Sequence, residues 1–230
     1  MCDQPKQSIK AVLKPTTPSS ASDTKEALIN NKYITSARNL IDHPCTAISS
    51  GFDQLDRYLP SNGWPIGSMI EVLSGATNAS DLWVALPILK NFNADDSWSA
   101  LINPPYIPYA PTLTNFGIDL NKILIVNPPN PNDIFWTAEE AIKSDTCSVV
   151  LVWISHYNRK ALRRLQLSTQ QYQRICFCFH PSPNTQQHTT TAIRLSIRPN
   201  KTGICIDLLK CRGGTVRSGI NINFNDIGYS

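Results

Sequence analysis

GWPIGSMIEVLSGATNASDLW, residues 63–83, decides the fold of this chain. Gly63 and Gly67 bracket a turn, the run from Gly67 to Leu73 reads as a buried strand, and small residues (Ser74, Gly75, Ala76) lead into an apolar helix that begins near Asp81. A strand–loop–helix joint of this kind aims backbone N–H groups at an anion. A phosphate cradle adds a Lys to neutralise the β/γ charge and a Ser/Thr hydroxyl to hold Mg²⁺. Here the places for those groups hold Ala79, Ser80 and Asp81, and no Lys occurs between Arg57 and Lys90. A carboxylate about 4 Å from a phosphate charge repels it by roughly 4 kcal/mol at an effective dielectric near 20. That exceeds what a helix dipole returns. The joint therefore reads as scaffold without chemistry, with Ser80 or Asp81 capping the helix, and no cofactor or metal is expected there.

Outward from this joint, strands and helices alternate. GFDQLDRYL (51–59) is a short amphipathic helix ending before Pro60, and DLWVALPILKNF (81–92) a helix that Pro87 should kink. SWSALINPP (97–105), KILIVNPP (122–129), CSVVLVWIS (147–155) and RICFCFHP (174–181) read as strands, the third of them central by its apolar composition. YAPTLTNFGID (109–119), PNDIFWTAEEAIKS (131–144) and RKALRRLQLSTQQY (159–172) read as helices between them. Near-continuous apolar strands alternating with helices predict an α/β fold, a mostly parallel sheet with helices on both faces. From Thr189 onward the pattern alternates around RPNKTG, which predicts an antiparallel hairpin at the sheet edge.

Composition agrees with a packed globule: 41% of the 230 residues are hydrophobic and 17% charged, with a net charge of +4. The chain divides into a disordered Pro/Ser/Thr-rich arm (1–22), an N-terminal helix and linker (23–45), the core domain (46–215) and a C-terminal tail (216–230). The first 20 residues carry no apolar signal-type run and no stretch is long enough to span a bilayer, so a cytoplasmic protein is expected. The seven cysteines are an odd, scattered set and read as reduced thiols. Cys176 and Cys178 share one face of a strand, as core thiols rather than metal ligands.

The order of pieces resembles RecA-type proteins over about residues 45–215. ISSGFDQLDRYLPSNGWPIGSMIEVLSG (48–75) is similar to the short helix and glycine turn that lead into the first core strand of a recombinase. GWPIGSMIEVL, INPPYIPYAPTLTNFGIDL, ALRRLQL and IDLLKCRGG resemble the ImuA family, RecA-like accessory proteins of SOS-induced translesion synthesis, and in part the related SulA cell-division inhibitors. The resemblance implies where ATPase groups would stand. Pro105 occupies the place of the general base, and Trp153 and Ile154 occupy the end of the strand that would carry the metal-holding Asp. With the Lys also missing, three requirements of hydrolysis fail together, and no catalysis is expected. Ser155, His156 and Cys147 have no acid or base partner placed beside them in the sequence.

What remains is surface. Arg159, Lys160, Arg163 and Arg164 lie on one helix, and Lys210 and Arg212 belong to a tail that carries only Asp207 and Asp226 as acids after residue 181. Each group reads either as a solvated face or as a contact for DNA or an acidic partner; DNA contact would be weak and salt-sensitive. SPNTQQHTTT (182–191) stands where recombinases face single-stranded DNA, yet it has no aromatic to stack on a base. Tyr106 and Tyr109, in a Pro-rich turn at the carboxyl end of the sheet, and Trp64 read either as structural anchors or as a partner-binding patch. The partners the resemblance implies are RecA, an ImuB-type Y-family polymerase homologue and an error-prone polymerase. Under the SulA reading the partner is FtsZ, with septation blocked. A DNA-stimulated RecA-like ATPase is the third reading, and the absent residues weigh against it.

Overall fold

In the computed structural model the described residues are 46–74, 79–94, 97–181 and 189–223. They belong to one compact unit of the chain, Pro44–Ser230. The arm expected over 1–22 and the N-terminal helix and linker expected over 23–45 lie outside the described residues, as do most of SPNTQQHTTT and the end of the tail.

The unit is α/β, as the alternation predicts. Its strands are β1 (Ala47–Ile48), β2 (Trp64–Pro65), β3 (Met69–Ser74), β4 (Trp98–Ile102), β5 (Ile123–Val126), β6 (Cys147–Trp153), β7 (Ile175–Pro181), β8 (Ile193–Pro199), β9 (Gly203–Cys211) and β10 (Arg217–Asn223). Its α-helices are α1 (Asp53–Asp56), α2 (Leu86–Ala94), α3 (Ala110–Asn115), α4 (Ile134–Lys143) and α5 (Arg159–Gln171). Eight strands form one sheet in the order β10-β9-β8-β3-β7-β6-β4-β5, and β1 pairs only with β2. From β8 to β5 every pairing is parallel, whereas β9 and β10 run antiparallel.

All six residues of β3 are buried, because the strand lies between β7 and β8 and is covered on both faces. Ile70 and Val72 enter one core with Leu55 of α1, Ile88 and Leu89 of α2 and Leu113 of α3. Met69 enters the opposite core with Ile134, Ala138 and Ile142 of α4 and Leu162 and Leu165 of α5. The sheet alternation thus separates two apolar layers. Cys176 and Cys178 both point into the second layer, and burial pushes both thiols above the ordinary range.

The glycines that bracket the opening turn have two different reasons. A Cβ on Gly63 would sit 2.4 Å from the Ile48 carbonyl oxygen, so glycine lets β1 and β2 close. Gly67 has φ +76°, a backbone conformation that side chains disfavour.

Three expectations change on contact with the structure. Pro87 does not kink one long helix: residues Ala79–Ala85 form a 3₁₀ helix, and the α-helix starts at Leu86, with the proline in its first turn. There the missing N–H has no partner to lose. The tail hairpin is β8 with β9, but β8 is an interior strand parallel to β3, and the edge belongs to β10. Residues 217–223, beyond the boundary drawn at 215, therefore extend the sheet. CSVVLVWIS became β6, interior between β7 and β4, while β3 and β7 occupy the middle of the sheet.

Candidate functional site

Because β3, β4, β6 and β7 are parallel, the segments that follow them gather at one edge of the sheet. Of the degenerate loop, Ser74 ends β3 and is 4% exposed, and Asp81 is 3% exposed within the 3₁₀ helix. Gly75 lies outside the described residues, as do the side chains of Ala79 and Ser80. The loop exit thus holds a buried carboxylate, an environment hostile to a phosphate charge.

Beside it, β4 and β6 end next to each other, with Ile102 opposite Val152. Asn103, the residue after β4, adopts φ +54°, and its side-chain amide donates to the Trp153 carbonyl at 3.0 Å. Asn tolerates that left-handed conformation better than a branched residue does. The clamp turns the chain out of the sheet at Pro104–Pro105. Trp153, the last residue of β6, stacks on Phe179 with centroids 4.7 Å apart and planes 11° apart. It fills the strand end with an indole.

The result is an apolar pocket of about 340 Å³. Its floor includes Trp153, one wall is Leu82, Trp83 and Leu86, and the other is the run Pro104–Tyr109 with Thr112 and Leu113 of α3. Among the described residues, no charged side chain lines it. Trp83 is braced edge-on against Phe116 at 5.4 Å. Tyr106, Ile107 and Tyr109 stand 63%, 78% and 73% exposed at the rim, too far into solvent for structural anchors. Pro104, Pro105 and Pro108 restrict that rim, so its aromatics are presented with little entropy left to lose.

Trp64 does not join this surface. It is fully buried and meets Phe177 edge-to-face at 5.3 Å, which makes it core; as a partner-contact residue it is corrected. The basic groups also divide. Arg159 and Lys160 are exposed at the start of α5, where the Asn158 side chain accepts the Ala161 N–H at 3.1 Å. Arg163 is exposed and reaches Gln166 at 3.4 Å. Arg164 is engaged with Glu139 of α4, which also takes Lys143 at 3.1 Å, so it is a brace between helices rather than a free cation. Lys210 is half-buried and donates to the Thr189 carbonyl at 2.8 Å. Burial, then the neighbouring Arg212 charge, lower its pKa. Arg212 is exposed.

Sequence reasoning missed a buried ionic cluster. Glu71, in the middle of β3, faces Arg194 of β8, whose Nε lies 3.5 Å from Oε2. His180 of β7 lies 2.8 Å from Oε1, and the Thr191 hydroxyl donates to Oε2 at 3.2 Å. Burial alone would raise the Glu71 carboxyl; the hydrogen bonds from His180 and Thr189 and the Arg194 charge outweigh it and hold the group below its ordinary value. The legible signal was a lone acid inside an apolar run. The cluster ties the start of β8 to β3 and β7 and stands apart from the pocket's lining.

A second pocket, of about 450 Å³, lies between the starts of α4 and α5, lined in part by Trp136, Ser155, His156 and Arg164. Among the described residues, no helix is long and apolar enough to cross a membrane.

No family model matches the chain. Protein RecA of Mycoplasma genitalium is 30% identical over 105 residues, covering 46% of this chain and 31% of that protein. Over that stretch the chain is similar to RecA. The matched stretch spans under a third of that relative's length. The α/β architecture, a mostly parallel sheet with antiparallel strands at one edge, is consistent with that relationship.

Proposed function

We propose that this chain is a RecA-like accessory protein that does not turn over ATP and acts through protein contacts. In this reading it is a cytoplasmic adaptor of the bacterial SOS response in error-prone translesion synthesis. RecA, an ImuB-type polymerase homologue and an error-prone polymerase are its partners. What carries the reading is the chemistry at the ends of β4 and β6. A hydrolytic site needs a base and a metal ligand there, whereas these ends present Pro105 and Trp153 as the lining of an apolar pocket. An uncharged pocket with exposed aromatics at its rim suits a partner's apolar side chains.

The reading predicts a separation of binding from stability. Tyr106→Ala with Tyr109→Ala leaves the unfolding free energy within about 0.5 kcal/mol, since both rings are exposed. The same pair of changes weakens binding to purified RecA by about tenfold or more, measured by biolayer interferometry. Unchanged affinity for RecA removes this surface from the account. In cells, deletion of the gene lowers damage-induced mutation frequency if the adaptor role is right.

A further inference from the structure

We propose that Asn103 is the positioning residue of the apolar pocket, setting the run Pro104–Tyr109 over the Trp153 floor so that an uncharged side chain of a partner meets a pocket already shaped. The inference rests on the reading of the pocket as a contact site, not on which partner fills it. Asn103 ties the end of β4 to both neighbouring strands. Ile102, the last residue of β4, lies opposite Val126 of β5 and Val152 of β6. One residue further on, the Asn103 backbone N–H donates to the Val126 carbonyl at 2.8 Å. Its side-chain amide donates to the Trp153 carbonyl at 3.0 Å. The backbone thus carries the ladder a step beyond β4 on one side, and a side chain takes its place on the other.

The backbone here is held against its preference. A residue before proline is pushed toward extended conformations, and few residues other than glycine take a positive φ. Asn103 precedes Pro104 and has φ +54°. Strain of this sort persists where the surrounding bonds over-determine it, and ligand clamps are among the places that hold it. Beyond Asn103, hydrogen bonding offers the rim no second support. Pro104, Pro105 and Pro108 have no N–H to donate, and among the described residues no hydrogen bond fixes any of residues 104–108. The next one comes at Tyr109, whose carbonyl accepts the Thr112 N–H at 3.0 Å as α3 begins. On the floor side, the Trp153 indole is stacked on Phe179, so Trp153 is held by its ring and its carbonyl together. With prolines stiffening the rim and Phe179 bracing the floor, the angle between the two is set at Asn103.

The test titrates N-acetyl-tryptophanamide, an uncharged probe, into the full ¹⁵N-labelled chain and reads the amides of Tyr106, Ile107 and Tyr109. The parent protein shows saturable shifts there, joined by the Asn103 side-chain amide. Asn103→Gly accepts the positive φ without strain and lacks the side-chain bond. Its affinity for the probe falls about fivefold, the worth of one neutral hydrogen bond, because the shaped pocket is populated less often. Asn103→Asp keeps the size of the side chain but turns a donor into an acceptor that faces a carbonyl. It binds at least as weakly at about pH 7 and regains affinity near about pH 4, where the carboxyl carries a proton to donate. A merely structural role produces no such recovery, and this variant serves if the glycine one does not fold. No saturable shift at the rim of the parent protein, an Asn103→Gly affinity equal to the parent's, or an Asn103→Asp affinity indifferent to pH each overturns the inference. Probe binding that follows Asn103 in a protein with no affinity for RecA upholds it and removes RecA as the partner.

Discussion

Glu71→Ala lowers the stability of this protein by about 3–5 kcal/mol, the usual cost of removing one member of a buried ionic set. The change leaves Arg194, 2% exposed, without the carboxylate 3.5 Å away, and removes the acceptor that faces His180 and Thr191. The same carboxylate predicts a pH dependence with a definite sign. Its folded pKa lies below the ordinary 4.5, so the ionised form contributes stability that is fully present above the unfolded value and is lost as pH falls through the folded one. Urea unfolding between neutral pH and about pH 3 therefore shows an acid-side decline that Glu71→Gln flattens. If Glu71→Ala unfolds like the parent protein, or if Glu71→Gln retains the full acid-side slope, the cluster does not hold β8 against β3.

Trp64→Ala costs about as much, roughly 3–5 kcal/mol, through the cavity left by a fully buried indole. The lost edge-to-face contact with Phe177 belongs to that cost. Trp64→Phe is the discriminating variant. The indole N–H has no hydrogen-bond partner among the described residues, so phenylalanine sacrifices volume but no paired donor. It should recover more than half of the alanine deficit in a denaturant titration. Binding to any partner should be unchanged by Trp64→Phe. A Trp64→Ala protein of parental stability but lost partner binding would return this residue to the surface.

These two residues also show what the sequence could and could not reveal. The parallel sheet was legible because interior strands such as CSVVLVWIS are apolar on both faces, a pattern that follows directly from burial. The absence of Lys at the strand–loop–helix joint was legible because phosphate chemistry depends on particular residues at fixed spacing. Trp64 was not, since an aromatic beside Pro65 reads equally as rim or core until β1 folds over it. Nor was the Glu71 cluster, whose members lie 109 and 123 positions apart and meet only through the register of β7 and β8 with β3. The basic tail misled for a related reason: a charge count treats Lys210 as surface, yet the fold half-buries it. Tyr106 and Tyr109 were seen as a pair, whereas the pocket behind them needed Trp153 from another strand and Trp83 from another helix. The signal for that pocket was present in the proline-spaced aromatics of PPYIPYAP, but only the fold supplies its floor.

The central claim is that this chain works by contact, without a nucleoside triphosphate. Isothermal titration of the full protein with ATP and Mg²⁺, repeated with single-stranded DNA present, tests it most directly. The account predicts no saturable heat up to about millimolar nucleotide, the range left when cation and metal ligand are both missing. Micromolar, Mg²⁺-dependent binding, abolished by changes at Asp81 or Ser80, would contradict it.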